Sequence, residues 1–244
     1  MAESHLWSRR RALRALRPER RLWRVVVCLA ATAVLLPLVL IVLYRFVDPP
    51  FSTLMAGRWL TGKGVEQSWV PLEEISPHLV TAVVSNEDAR ICAHWGVDWS
   101  AVEEAIDEAE ESGGHPRGAS TIPMQVVKNL FLWPQRSYLR KGIEIPLAYA
   151  VTALWPRRRV VEVYLNIAEW APGVFGAEAA CRHHFGKSAA RISRREAALM
   201  AAALPNPHLR HAGRAGPKTR RLAAHIERRM AKSAPYFGCI AARR

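Results

Sequence analysis

The stretch SPHLVTAVVSNEDAR, residues 76–90, decides how the rest of the chain is interpreted. Ser76 and Pro77 predict a helix start, because serine caps the first free N–H groups and proline fits the first helical position. Three valines then share one side of the helix, and their spacing leads to Glu87. Glu87 and Asp88 are either a surface pair of acids or an acid held at the end of an apolar face, where burial raises the pKa of the carboxyl group. The second interpretation makes Glu87 a candidate catalytic residue.

The residues after Glu87 read as helices separated by Gly and Pro, without the alternation that is typical of strands. Ser100 to Glu103 matches a capping box and predicts a second helix that begins at Ser100. We therefore expect a mainly α domain over residues 50–210, followed by a basic C-terminal segment, residues 211–244.

Residues 118–129 concentrate hydroxyl, amide and ammonium side chains. Thr121, Gln125 and Lys128 are separated by four and three residues, so they point the same way if this segment is helical. Such a row suits a phosphorylated sugar. A polar helix face in contact with water is the alternative.

A further polar group precedes an apolar run that is too short to span a bilayer, residues 143–155. Arg140 and Lys141 place two cations beside Glu144. Because Arg140 and Glu144 are four residues apart, an ordinary surface salt bridge is one interpretation. A buried pair would instead orient the glutamate and hold a pyrophosphate.

Towards the N-terminus, residues 25–44 form a run of twenty residues without charge. A helix of that length spans a hydrocarbon core of about 30 Å, which predicts a single transmembrane helix. A signal peptide is the alternative, but the residues after Tyr44 offer no small-residue cleavage site. Eight arginines precede the run, so the positive-inside rule makes residues 1–24 a basic cytoplasmic tail and places the domain outside the cytoplasm.

The chain has 244 residues and a formal net charge of +14. That charge predicts anionic partners, namely lipid head groups, phosphorylated substrates or nucleic acid. Nucleic acid is not expected, because the domain lies outside the cytoplasm. Cys92, Cys181 and Cys239 permit at most one disulfide, and none has the spacing of a metal-binding pair.

Five blocks, in order along the chain, make the sequence similar to the family 51 glycosyltransferases, the transglycosylase module of peptidoglycan synthesis. The blocks are residues 87–98 (EDAR, then HWGVD), 118–129 (GASTI, then Gln125, Lys128 and Asn129), 140–144, 159–166 (ending EVYLN) and 194–205 (RREAAL, ending at Pro205). No length is left for a transpeptidase domain, so the chain resembles the monofunctional biosynthetic type.

The resemblance implies a lysozyme-like α-helical domain in the bacterial inner membrane, behind a single membrane helix. It implies polymerisation of lipid II into β-1,4-linked glycan strands, with inversion and release of undecaprenyl diphosphate. Glu87 matches the family's catalytic base and Glu144 its second acidic residue. Substrate-binding roles carry over to Ser120, Thr121, Gln125, Lys128, Arg140 and Lys141, and more weakly to Asp88, His94 and Asn166. Expected partners are lipid II, the growing lipid-linked chain, the membrane and other cell wall synthesis proteins.

The chemistry agrees with these assignments. An attacking sugar hydroxyl must lose its proton, which requires a base of near-neutral pKa. The departing diphosphate gathers negative charge, which the basic residues or a divalent cation, Mg²⁺ or Mn²⁺, could stabilise. We expect no organic cofactor and assign no metal-ligating residue.

Three departures from the family pattern are visible. A further glutamate is usual eight residues after Glu144, where this chain has Thr152; Pro146 interrupts the same helix, and Pro123 precedes Gln125. Two other functions stay open at this point. A lysozyme-like hydrolase would share the fold and a catalytic glutamate, but would not need the cations. A non-enzymatic scaffold would use only the anchor and the basic surface.

Overall fold

The computed structural model describes residues 17–114, 118–135, 137–233 and 237–241. Contacts divide the chain into two units, residues 1–43 and 44–244. Of the predicted cytoplasmic tail, residues 1–16 lie outside the described residues, as do residues 234–236 and 242–244 of the predicted C-terminal segment.

Helix α1, Arg17–Tyr44, accounts for nearly all of the described part of the first unit. Its portion Arg21–Tyr44 is long and apolar enough to cross a membrane, judged by length and composition. Only 6% of its most apolar stretch is buried. Leu29, Val34 and Val39 are among the exposed apolar side chains, which hydrocarbon accommodates better than water does. The predicted N-terminal apolar helix is therefore confirmed.

The second unit is mainly helical, as predicted. Its helices are α2 Thr53–Leu60, α3 Pro77–Glu87, α4 Trp99–Ser112, α5 Ile122–Phe131, α6 Tyr138–Leu154, α7 Arg157–Ile167, α8 Ala177–Phe185, α9 Arg194–Ala203 and α10 Pro217–Ser233, with short 3₁₀ turns at Leu72–Glu74 and Ala189–Arg191. Three short strands, β1 Glu66–Gln67, β2 Glu169–Ala171 and β3 Val174–Phe175, form a sheet in the order β1-β3-β2. Strand β3 is parallel to β1 and antiparallel to β2.

Two groups of helices build the core of this unit. Helix α9 packs against α3 and α10, while α5 packs against α6 and α7. The contact face of α9 is made of small residues, including the fully buried Ala197, Ala198, Ala201 and Ala202. Small side chains let helices approach closely, so α9 brings the end of α3 and the C-terminal helix α10 together.

The helix starts follow local sequence signals, with one correction. Ser76 accepts a hydrogen bond from the His78 N–H and Pro77 occupies the first turn of α3, as predicted. Helix α4, however, begins at Trp99, and its cap is Asp98, which accepts from the Ala101 N–H at 3.1 Å. The predicted start at Ser100 was wrong, because the carboxylate of Asp98 caps the helix two residues earlier and Ser100 already lies within it.

A disulfide links Cys92 to Cys239 in the second unit, with the two Cα atoms 5.8 Å apart. The sequence separation of the two cysteines is 147 residues. Cys181 is buried and free. The bridge joins the loop after α3 to the chain beyond α10. Because Ile226 and Met230 are also buried, the described part of residues 211–233 belongs to the body of the domain rather than to a separate segment.

Replacing Cys92 with serine should lower the melting temperature of the purified protein substantially. A closed loop of this length removes enough entropy from the unfolded chain to stabilise the fold by about 5 kcal/mol. Cys92→Ser and the double variant Cys92→Ser/Cys239→Ser should melt at the same temperature, because either one removes the whole bridge. Equal melting of oxidised and reduced wild type, with four titratable thiols in both, would contradict the bridge.

Candidate active site

Glu87 is the last residue of α3 and is partly buried. Its Oε1 accepts a hydrogen bond from Asn86 Nδ2 at 2.8 Å, and its Oε2 accepts one from Gln125 Nε2 at 3.0 Å. Burial raises the pKa of Glu87, while the two amide donors and the charge of Lys128 pull the pKa down less strongly. The direction is the one that the sequence pattern predicted.

Asp88 ties the loop after α3 to the start of α5. Its Oδ1 lies 2.8 Å from His94 Nε2, and its Oδ2 accepts from the N–H of Ile122, the first residue of α5, at 2.9 Å. The Gly96 N–H donates to His94 Nδ1, so the proton of the neutral ring sits on Nε2 and points at Asp88. Asp88 and His94 are both buried and hold the backbone around the site.

Thr121 caps α5 instead of joining a row on its face. Its hydroxyl accepts from the Met124 N–H and donates to the Gly96 carbonyl. Gly96 has φ +105°, and a side chain there would place its Cβ 2.7 Å from the Ala148 carbonyl oxygen of α6. Glycine is therefore required where this loop crosses α6.

Of the predicted row, Gln125 and Lys128 face the catalytic candidate. Gln125 donates to Glu87 through Nε2 and accepts through Oε1 from the hydroxyl of Tyr164, 2.9 Å away. Lys128 lies close enough to lower the pKa values of both Glu87 and Lys141 through its charge. Its charge therefore acts both on the Glu87 carboxylate and on a second polar cluster, which includes Lys141.

That second cluster is the buried version of the predicted ion pair. Glu144 is 2% exposed, forms an ion pair with Arg140, and has its Oε2 3.3 Å from Lys141 Nζ. Lys141 also donates to Ser120 Oγ at 2.9 Å. Burial, followed by the charges of Arg140 and Lys128, lowers the pKa of Lys141 to about 8. Arg140 and Lys141 share the one carboxylate of Glu144, so an added anion would relieve the repulsion between the cations.

A cavity of about 360 Å³ opens beside Glu87. Its lining includes Ser120 and Thr121 from the start of α5, Arg90 and Asp98 from the loop after α3, and Arg229 from α10. Arg229 could not be predicted from local sequence patterns, because the packing of α10 on α3 and α9 depends on contacts far apart in the chain. The described residues contain no group of three or more acidic, histidine or cysteine side chains that could hold a metal ion.

With this geometry established, comparison with known proteins assigns the family. A family model described as Transglycosylase matches residues 55–231. The chain belongs to the transglycosylase family. A relative from Rhodospirillum centenum is 55% identical over 213 residues, covering 87% of this chain and 91% of its own length. Relatives from Rhizobium meliloti (48% over 227 residues, 91% and 95% covered) and Agrobacterium fabrum (49% over 219 residues, 89% and 96% covered) are similar. All three are described as biosynthetic peptidoglycan transglycosylases.

The proline departures fit the transglycosylase domain without breaking its helices. Pro123 occupies the first turn of α5, where a missing N–H costs no intrahelical hydrogen bond. Pro146 lies inside α6 and deprives the Gly142 carbonyl of its partner. Both Gly142 and Pro146 are exposed, so water can bond that carbonyl.

Thr152 lies beside Gly96, behind the loop that joins α3 to α4. It is 4% exposed, its hydroxyl has no hydrogen-bond partner among the described residues, and its Oγ1 would be 3.0 Å from a Cβ built on Gly96. A longer acidic side chain at this position would press against the loop that carries His94. The departure therefore alters the wall behind the site and leaves Glu87 and Glu144 in place.

Asn166 lies away from both clusters. It is fully buried, donates to the carbonyls of Val70 and Glu162 at 2.9 Å, and accepts from the Val70 N–H at 3.0 Å. These bonds hold α7 to the segment before the first 3₁₀ turn. The geometry gives Asn166 a structural position and does not support the predicted substrate contact.

The titration of Lys141 should be visible in substrate affinity. Since its pKa in the free protein is about 8, the affinity for a diphosphate substrate should fall about tenfold between pH 8 and 9.5 as the charge is lost. Lys141→Arg keeps the charge and should remove that fall in affinity. The control Lys218→Arg, at an exposed position of α10, should leave the fall unchanged. Michaelis constants for lipid-linked substrate, measured across this range, test the expectation; identical curves for wild type and Lys141→Arg would contradict it.

Proposed function

We propose that this chain is a peptidoglycan glycosyltransferase that polymerises lipid II into β-1,4-linked glycan strands and releases undecaprenyl diphosphate. The observation that carries the proposal is a partly buried glutamate of raised pKa, Glu87, with Lys128 near enough for its charge to act both on Glu87 and on Lys141, which is ion-paired with the buried Glu144. Polymerisation is also the activity expected of a chain whose relatives are biosynthetic peptidoglycan transglycosylases.

In the proposed reaction Glu87 removes the proton from the 4-hydroxyl of the acceptor sugar. Burial raises its pKa, so the carboxylate binds a proton more readily than an exposed glutamate would. The cavity beside Glu87 gives the acceptor a place to approach. The oxygen then attacks the anomeric carbon of the donor as the bond to diphosphate breaks, which inverts the configuration there.

The cation cluster acts on the leaving group. Lys128, Arg140 and Lys141 provide positive charge where the diphosphate gains negative charge, and Ser120 offers a hydroxyl beside Lys141. Glu144 holds Arg140 and Lys141 in place through its buried ion pairs. The second acidic residue is therefore assigned to the leaving-group side of the reaction.

A divalent cation remains a proposal. The carboxylates around the site are already engaged, Asp88 with His94 and Ile122, and Glu144 with Arg140 and Lys141. These side chains do not fit a cage held by protein alone. Any Mg²⁺ or Mn²⁺ would be held mainly by the diphosphate oxygens, with water completing its shell.

We also propose that the protein is a single-pass protein of the bacterial inner membrane, with its N-terminus in the cytoplasm. The apolar helix α1 and the arginines that precede it support this orientation. The Cys92–Cys239 disulfide supports an oxidising location for the domain. Other cell wall synthesis proteins are proposed partners, and nucleic acid is not.

The hydrolase alternative is less favourable on this geometry. A hydrolase that acts on neutral glycan has no need for two cations paired with a buried glutamate, and the desolvation of Lys141 would serve no purpose there. The scaffold alternative leaves the raised pKa of Glu87 and its two oriented amide donors without a use.

Glu87→Gln should abolish polymer formation while the protein stays folded. Loss of the base should reduce the rate at least about a thousandfold, towards the upper end of what such catalysis contributes. The assay uses purified protein in detergent with lipid II, and separates products by chain length. Glu108→Gln, on an exposed side of α4, serves as the matched control with an unchanged rate. Polymer from Glu87→Gln would remove Glu87 from the role of base.

Chelation tests the divalent cation separately. Treatment of the wild type with excess EDTA should lower the polymerisation rate, and added Mg²⁺ or Mn²⁺ should restore it, because the metal partly neutralises the diphosphate. The melting temperature should not change, since the described residues supply no metal cluster of their own. An unaltered rate in EDTA would show that the cations of the protein suffice.

A further inference from the structure

Tyr164 is a buried tyrosine that lies next to the reaction centre without facing the cavity. It belongs to α7 and is 2% exposed. Its hydroxyl donates to Gln125 Oε1 at 2.9 Å.

The phenol of Tyr164 fixes which way the Gln125 amide points. Burial raises the pKa of Tyr164 well above its usual value, with the charges of Glu87 and Asp88 adding to the effect, so the hydroxyl keeps its hydrogen. A protonated phenol needs an acceptor, and Gln125 Oε1 supplies it. The amide nitrogen then has to face the other way, towards Glu87 Oε2 at 3.0 Å.

The other oxygen of Glu87 is served in the same manner. Asn86 Nδ2 donates to Glu87 Oε1 at 2.8 Å and also to the Ala201 carbonyl of α9 at 3.3 Å. Each amide that donates to the carboxylate thus has a second partner. For Asn86 that partner is the backbone of α9, and for Gln125 it is the side chain of Tyr164, with a longer hydrogen bond from Nε2 to the Ser120 carbonyl at 3.4 Å.

We propose that Tyr164 is a positioning residue, which acts through Gln125 to hold the Glu87 carboxylate in its reactive orientation and to limit how basic it becomes. The inference rests on the proposed role of Glu87 as the base. No bond forms or breaks at Tyr164, and its hydrogen stays on the phenol throughout. Its contribution is the orientation of one amide group.

The direction of the effect on Glu87 follows from the contacts. Burial raises the pKa of Glu87, and the hydrogen bond from Gln125 is the largest influence that lowers it. Without the phenol, Gln125 Oε1 loses its partner, and apart from Glu87 only a long hydrogen bond from Nε2 to the Ser120 carbonyl, at 3.4 Å, orients the amide among the contacts described, so Nε2 should donate to the carboxylate for less of the time. The pKa of Glu87 should then rise further, and the carboxylate should spend less time in the reactive orientation.

The first test is Tyr164→Phe, measured in the full-length protein with lipid II as substrate. We expect kcat to fall about tenfold, the worth of one hydrogen bond to a charged network, with little change in KM. The acidic limb of the kcat/KM profile should move to higher pH, since that limb reports the base in the free enzyme. Tyr149→Phe is the matched control, because it loses a tyrosine hydroxyl that accepts from Trp99 Nε1 outside this network; its rates and pH profile should stay those of the wild type.

A double-mutant cycle separates positioning from simple packing. In a Gln125→Met background, Tyr164→Phe should cause no further loss of kcat if the phenol acts through Gln125. An equal loss in both backgrounds, or an unmoved acidic limb in Tyr164→Phe, would overturn the inference. If Tyr164→Phe folds poorly by its melting temperature, Gln125→Met alone must lower kcat and move the limb; a wild-type profile there would also overturn it.

The outcome can be distinguished from failure of the proposed function. A loss of activity in Glu87→Gln together with wild-type behaviour of Tyr164→Phe would reject only the positioning role. Activity retained in Glu87→Gln would reject the base itself, whatever the tyrosine variant does.

Discussion

Both oxygens of the buried Asp88 carboxylate are bonded within the protein, one to His94 and the other to the first N–H of α5. This pair of contacts joins the end of α3 to the start of α5. The side chains that face one another across the site depend on that junction, because Glu87 ends one helix and Gln125 lies on the first turns of the other. A carboxylate at a helix N-terminus is also favourably placed in the field of the helix dipole.

Around this junction the site divides into two electrostatic regions. Glu87 is surrounded by neutral amides, which orient it without neutralising it. The second region gathers Arg140 and Lys141 around one buried carboxylate, Glu144, and leaves an excess of positive charge. Transfer of a sugar from a diphosphate needs both environments, a base of raised pKa and a site for a departing anion. Lys128 is the residue whose charge is felt in both regions.

Much of this arrangement could be predicted from local sequence patterns. Helix periodicity and the Ser76–Pro77 start place Glu87 at the end of an apolar face, and the apolar run predicts α1. Spacing alone could not distinguish a surface ion pair from the buried pair of Arg140 and Glu144, since a separation of four residues allows either. Spacing also grouped Thr121 with Gln125 on one helix face. Thr121 instead stands just before the helix, where its hydroxyl caps a free N–H group. The small sheet, the Cys92–Cys239 pairing, Arg229 and the role of Tyr164 depend on contacts between distant segments, for which a single sequence carries no signal.

The disulfide also sets an order of events in the life of the protein. Cys92 lies in the loop after α3, whereas its partner lies beyond α10. The bridge therefore cannot form until α10 and the residues up to Cys239 have been synthesised and the two thiols have met an oxidant. Until the bridge has formed, the loop beside Glu87 therefore lacks this covalent tether. Completion of the domain thus needs an oxidative step that is separate from the synthesis of the chain.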